Sequence, residues 1–338
     1  MTTDDVSKRV YEEELRDWLP DRIIDCHVHI SHSEFTGEVS PERHAQIWAM
    51  EVAPHEPTWE LLRTDYQTLF PGKELWTLAF GNVYREVDIE ANNDYVLAGG
   101  QDPVNKARVL AVTRPEWDAE RIVELLQQGF LGIKPYPDLA PAGMENASIY
   151  DFLPREHLAA ADEAGAIVML HLPRPARLGD PENVKELLEI HESYPAVKLI
   201  VAHIGRSYCL PTAQSGLPAL ADAKGIYFDT AANLNADVFA YALETIGQER
   251  ILFGSDLPVM LMLGVREHVG EKYINYTDGD YSWNTNRKSP EEEANYTYFL
   301  YEELRAIKDA IKRTGLGEEA VQRVFYSNCA DLLGLNTQ

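Results

Sequence analysis

The sequence predicts an α/β fold, a (β/α)8 TIM barrel, on three observations. Eight short β-rich runs alternate with helical stretches, the runs are apolar almost throughout, and no linker or low-complexity tract divides the 338 residues. Strands that alternate with helices build a parallel sheet, and near-continuous apolar runs suit strands covered on both faces. Residues 1–338 therefore read as one domain, with insertions after the first and eighth strands and extra C-terminal helices.

The chain opens on MTTDDVSKRVYEEELRDWL, a charged segment without an apolar core, expected to be a helix and neither a secretory signal nor a membrane anchor. The first run, RIIDCHVHI from Arg22, ends in two histidines one residue apart. Strand alternation sends His27 and His29 to one face and Cys26 and Val28 to the other. WTLAFGNV from Trp76, ARVLAVTR from Ala107 and GFLGIKPYP from Gly129 follow. After the midpoint come AIVMLHLPR from Ala166, VKLIVAHIG from Val197, GIYFDTAAN from Gly225 and RILFGSDLP from Arg250. Helical patterns lie between them, such as DAERIVELLQQ from Asp118, PENVKELLEIHESY from Pro181 and ADVFAYALETIG from Ala236, which stops at glycine. The insertions, residues 31–73 and 259–290, both leave the C-terminal ends of strands, where barrel enzymes keep their active sites. They are expected to wall or cover the mouth, and to meet over one side because the first and eighth strands of a closed barrel are neighbours. A long helical stretch, SPEEEANYTYFLYEELRAIKDAIKRTG, and a last helix, EEAVQRVFYSNCADLLGL, finish the chain.

Charge narrows the partners. Lys plus Arg total 30 against 55 Asp plus Glu, a net charge of -25, which repels phosphate backbones and anionic membranes. No nucleic-acid partner and no membrane association are expected, and a small-molecule substrate is. Three widely spaced cysteines make no disulfide framework and fit a reducing cytoplasm.

Four later runs carry an ionisable residue near their C-terminal ends: Lys134, His171, His203 and Asp256. Singly, each has an ordinary explanation as a satisfied core histidine, a turn cap or a lysine reaching the surface. Together with His27 and His29 they gather at the catalytic end of an apolar interior, where unpartnered charge is costly and a bound cation would supply the partner. Barrel closure brings Asp256 beside His27 and His29, and His171 could complete the set from across the barrel. Nitrogen and carboxylate donors suit zinc, manganese or iron with positions left open for water. Arg174 and Arg206, three residues beyond His171 and His203, stand where loops rim the mouth and could clamp a substrate carboxylate or phosphate, or form surface salt bridges. Tyr136, Asp229 and Asn233 are lesser candidates there.

The set DCHVHI, GIKPYP, HLPR, AHIGRS, FGSDLP and YSNCADLLGL resembles the amidohydrolase superfamily, and within it the amidohydrolase-related branch of barrel hydrolases and decarboxylases, over nearly the whole chain. The resemblance implies metal ligation by His27, His29 and Asp256, with His171 as a further ligand and His203 as a ligand or general acid–base. Asp256 would also handle a proton. One or two divalent metals per chain are implied, zinc foremost. In the two-metal case a carboxylated Lys134 would bridge them; in the one-metal case, common in this branch, it would not. The implied activity is that of a metal-dependent hydrolase using an activated water on a small, carboxylate-bearing substrate. A nonoxidative decarboxylase of an unsaturated or aromatic acid is the alternative, and a non-catalytic barrel acting as a binding protein is the remote one. Either enzyme could be a homo-oligomer.

Overall fold

The computed structural model describes residues 3–47, 49–52, 56–141, 143 and 146–335. β1 (Arg22–His29) pairs in parallel with β2 (Glu74–Phe80), and β2 with β3 (Ala107–Val109). The third run is interrupted at Leu110, whose N–H donates to the Ala79 carbonyl at 2.9 Å, and resumes as β4 (Ala111–Thr113). From β4 the parallel order continues through β5 (Gly132–Pro135), β6 (Ile167–Leu170), β7 (Lys198–Val201), β8 (Ile226–Asp229) and β9 (Ile251–Leu252). A bond from Leu131 N–H to the Val109 carbonyl (2.9 Å) spans the interruption. At the other end, Cys26 N–H donates to the Phe253 carbonyl at 3.0 Å, Val28 pairs with Leu257, and His29 N–H donates to the Leu257 carbonyl at 3.0 Å. The sheet thus returns on itself as a (β/α)8 barrel.

Two apolar clusters follow from strands buried on both faces. Inside, Ile24, Leu78, Leu110, Met169, Ile200 and Leu252 pack together and are joined by Cys329 and Leu333 of the C-terminal helix Asn328–Leu333. Outside, Ala79, Val109, Val168, Leu170 and Val201 meet the surrounding helices. Those helices start where side chains can cap free N–H groups. Asp118 accepts from Arg121 N–H ahead of Ala119–Gln128, and Asp180 caps Pro181–Ser193, which has proline in its first turn. The first of these stops at Gly129, whose φ of 119° only glycine adopts readily.

Strict alternation fails in β1, and the failure matters. Ile24 and Cys26 both join the interior cluster, so an unbroken strand would turn His27 outward. The register shifts between Asp25 and Val28, a bulge that re-aims the following residues and puts Val28 in the outer cluster while His27 and His29 face the mouth. The expected long C-terminal helix is also broken: Pro290–Glu293 is a single turn, Thr297–Tyr298 is extended, and the helix proper is Phe299–Arg313. Thr297 and Tyr298 pair with the insertion hairpin, and that pairing overrides the helical pattern of their neighbours.

Gly132 in β5 has no room for a side chain, because a Cβ there would lie 1.9 Å from the Ile167 carbonyl oxygen on the paired strand. The obstacle is backbone and cannot swing aside. Gly132→Ala is therefore expected to destabilise at or beyond the upper end of the ~1–3 kcal/mol typical of overpacking, read as a lower urea midpoint at unchanged slope.

Candidate metal centre and active site

Each ionisable side chain of the strand ends is positioned by a local device. In β1 the bulge turns His27 and His29 to the mouth; Gly254 opposite makes room, since a Cβ there would lie 2.8 Å from that of His27. Asp25 ties this strand to the turn after β9. Its carboxylate accepts from Ser255 N–H (2.8 Å), Ser255 Oγ (2.5 Å), Tyr66 OH (3.1 Å) and His27 N–H (3.2 Å). Burial pushes the Asp25 carboxyl up to about 7 against the pull of those donors. Asp256 follows in a left-handed conformation (φ 61°), its N–H donating to the His27 carbonyl at 2.9 Å.

The result is a convergence of three donors. His27 Nε2 and His29 Nε2 lie 3.5 and 3.4 Å from one oxygen of Asp256. Burial raises the Asp256 carboxyl, but a hydrogen bond from His29 and the nearby His203 and His27 outweigh it and hold the group well below the usual carboxylate range. The donor atoms lie within 4.8 Å of one another, a spacing that one first-row divalent cation can gather with small side-chain movements. The residues fit such an ion.

Asp229, expected at the mouth, lies instead fully buried beneath the histidines. Its Oδ2 accepts from His27 Nδ1 at 2.9 Å and its Oδ1 from His203 N–H at 2.6 Å. That bond fixes the His27 proton on Nδ1 and leaves Nε2 free to ligate. His27, His203 and Asp229 also lie within ligand spacing of one another, but Asp229 is already spent in this way, so the trio is a hydrogen-bonded network. In Asp229→Asn, the amide can donate to Nδ1 and favour the tautomer with Nε2 blocked. Cation affinity is expected to fall about 10–100-fold, measured by competition with a chromogenic chelator.

His203 does not continue the alternation of β7. It begins a left-handed turn, with φ of 58° at His203, 46° at Ile204, 62° at Gly205 and 60° at Arg206. Its Nδ1 lies 2.8 Å from the Ala231 carbonyl, which assigns the proton to Nδ1 and turns the Nε2 lone pair to the site. Burial lowers its pKa to about 4, so the ring is a neutral base or ligand. His171 lines the cavity 5.1 Å (ring centroids) from His203 and 4.7 Å from Tyr136, outside both three-donor groups. Lys134 is fully buried in β5, its Nζ without a hydrogen-bond partner among the described residues, 4.7 Å from the Phe80 ring centre. Burial lowers its ammonium to about 8, opposed by Asp229 and Asp256.

A cavity of about 610 Å³ opens above these groups. Residues 31–73 supply one wall, including Thr36, His44 and Met50; residues 259–290 supply Arg266 and Tyr273 from the hairpin β10 (Leu263–Val269) and β11 (Lys272–Thr277). The two insertions meet where Glu51 accepts from Ser282 N–H at 2.7 Å. Arg206 and Tyr136 line the cavity, but Arg174 does not. It is held by both oxygens of Glu186 (2.9 and 3.0 Å) and by Asn183, so the expected substrate clamp is a structural ion pair there. Asn233 is likewise internal, its amide donating to the Ser207 carbonyl at 2.9 Å. Arg177 and Arg266 were not singled out by the sequence reading. Among the described residues, seven of the eight non-glycine residues with positive φ belong to the mouth loops: Arg174, Arg177, His203, Ile204, Arg206, Ala232 and Asp256. Such conformations cost about 1–3 kcal/mol each and gather where placement matters more than stability.

Comparison with known proteins agrees with this fold. The fold is shared with a protein of Acinetobacter baumannii that bears the provisional name 2-pyrone-4,6-dicarboxylic acid hydrolase and holds citric acid (16% identity, 92% of this chain and 99% of that one, TM-score 0.59). It is also shared with a 2,6-dihydroxybenzoate decarboxylase in complex with 2,6-dihydroxybenzoate (15% identity, 94% and 100%, TM-score 0.55). A third is 5-carboxyvanillate decarboxylase of Novosphingobium aromaticivorans, complexed with manganese and 4-hydroxy-3-methoxy-5-nitrobenzoic acid (13% identity, 93% and 96%, TM-score 0.58). No curated protein matched by sequence. The amidohydrolase family model matches residues 24–335, from the first strand to the last helix, and the chain belongs to that family.

Proposed function

We propose that residues 1–338 act as a single metal-dependent hydrolase that adds water to a carbonyl group of a small, carboxylate-bearing substrate. The observation that carries this reading is the approach of two imidazole Nε2 atoms to within 3.5 Å of one Asp256 oxygen on a cavity wall. A divalent cation held by His27, His29 and Asp256, zinc first by the donor set with manganese or iron admissible, supplies Lewis acidity that acidifies water and polarises the carbonyl.

The chain's own residues do the rest. Asp256 takes the proton of the attacking water and returns it to the leaving group. His203 presents the Nε2 lone pair that its bond to Ala231 leaves free, as a base or a fourth ligand. Asp229 keeps His27 in the ligating tautomer. The guanidinium of Arg206, on the wall of the same cavity, binds the substrate carboxylate. That cation also favours a second reading, nonoxidative decarboxylation, in which the same pocket holds an unsaturated or aromatic acid. We place the reaction in a reducing cytoplasm, in line with Cys26, Cys209 and Cys329 all being unbridged. Among the described residues, no helix is long and apolar enough to cross a membrane.

The test is a screen of lactones, amides and unsaturated or aromatic acids on metal-loaded protein, following acid release and carbon dioxide release in parallel. Acid release without carbon dioxide is the expected result. Carbon dioxide release from an intact acid would replace hydrolysis with decarboxylation, and silence in both channels would remove both.

A further inference from the structure

We infer that the cavity carries an apolar subsite on the side of the first insertion, formed by Val39, Ile47, Ala49 and Met50 with Val83 and Val259, which takes an uncharged hydrocarbon arm of the substrate. This rests on reading the cavity as the substrate site. It narrows the substrate class to acids that carry such an arm.

Charge divides the cavity. The aspartates and arginines that line it, Asp138, Arg177, Arg206, Asp256 and Arg266, come from the loops after β5, β6, β7 and β9 or from the hairpin. Residues 31–73 supply a wall of their own, and among the described residues of that wall none is Asp, Glu, Lys or Arg. Composition alone would place some there, since 25% of the chain is charged. The insertion's charges are engaged outside the cavity instead. Arg43 donates to Glu86 at 2.7 Å and also pairs with Asp138, while Glu51 accepts from Ser282 N–H at 2.7 Å. An anionic arm laid on this wall would therefore meet no Lys or Arg to offset its desolvation.

The wall is also held in shape. Just before Val39, Thr36 bridges Val87 and Gly37 N–H donates to the Glu86 carbonyl at 2.9 Å. Arg43 and Glu51 then flank Ile47, Ala49 and Met50. Anchors at 37, 43 and 51 thus bracket the apolar side chains, and each anchor uses polar groups that the cavity does not need. Val39, Ile47, Ala49 and Met50 stay half-buried, so the fold leaves part of their apolar surface open to water inside a concave site. Covering that surface with hydrocarbon is favourable in proportion to the area removed from water. The cavity of about 610 Å³ lies within the roughly 300–1,000 Å³ that small-molecule sites occupy, which admits an arm of several carbons beside the reacting group.

Isothermal titration of the metal-loaded protein with butanoate and with octanoate tests this, since the two probes share a carboxylate and differ only in methylene groups. Octanoate is expected to bind about tenfold tighter or more; a fully buried methylene is worth about fourfold, and partial burial less. Met50→Gln, which keeps the side-chain length, and Ile47→Asn should each shrink that ratio several-fold while butanoate affinity and metal content hold. Val269→Gln changes a valine that is 65% exposed on the hairpin and outside the cavity, and should leave the ratio as it is. Circular dichroism would identify a variant that fails to fold, in which case the other cavity variant decides. Equal affinity for the two probes, no binding of either, a ratio undiminished in the folded cavity variants, or a ratio lost in Val269→Gln overturns the proposal. Failure of the hydrolase reading looks different. A preference for octanoate in a wild-type protein that takes up no cation would keep the apolar subsite and remove that assignment, whereas one bound cation without the preference would remove the subsite alone.

Discussion

Asp256→Asn is expected to abolish turnover and to weaken divalent-cation binding by about a hundredfold or more, exceeding the 10–100-fold typical of losing an outer partner. The reason lies in what surrounds the carboxylate. His27 Nε2 and His29 Nε2 both address one oxygen, at 3.5 and 3.4 Å, and these contacts, with His203 near, hold the group ionised against its burial. Asparagine keeps the shape and the left-handed turn, since it tolerates positive φ better than most residues, but it removes the charge and the proton acceptor. Folding should survive. Metal retained at wild-type level by a folded variant, together with wild-type rate on an identified substrate, would mean that the turn after β9 does not serve the chemistry.

The second large effect is expected at His203. With Nδ1 committed to Ala231 and Nε2 free, His203→Asn should lower the rate about 10²–10⁴-fold, the usual worth of a proton-transferring group, with one cation per chain still bound. The outcome is tied to Lys134. Burial lowers its ammonium to about 8, which leaves a far larger share of the neutral amine that carbon dioxide can carboxylate than an exposed lysine has. A carboxylated Lys134 would bridge a second cation and recruit His203 as a ligand. We expect the single-cation form, because Asp229 is occupied in orienting His27 and Lys134 does not line the cavity. Intact mass with and without bicarbonate, alongside elemental analysis of Lys134→Ala, separates the cases. A second cation that depends on both bicarbonate and Lys134 would reverse the choice.

The barrel was legible because β-rich runs buried on both faces leave a pattern that local chemistry does not disturb. The His27, His29 and Asp256 grouping followed from closure alone. What alternation could not show was the route to it. The bulge between Asp25 and Val28 re-aims β1, and His203 and Asp256 are placed by left-handed turns beyond the ends of β7 and β9. Positive φ at histidine or aspartate leaves little trace in a single sequence, since these residues are ordinary in turns of many kinds. Arg174 misled because distance from a histidine in sequence does not say which side of a loop a long side chain takes; Glu186 and Asn183, from the helix Pro181–Ser193, claim it. Arg177 and Arg266 were missed for the converse reason. Arg266 enters the cavity from a hairpin whose register with β11, Arg266 opposite Asn275, had no signal in an irregular, polar stretch.

Anomalous diffraction from crystals grown with zinc or manganese tests the metal centre most directly. One peak per chain is expected, within bonding distance of His27 Nε2, His29 Nε2 and an Asp256 oxygen, with no added density on Lys134. A peak elsewhere, or none at saturating metal in a catalytically active protein, would contradict it.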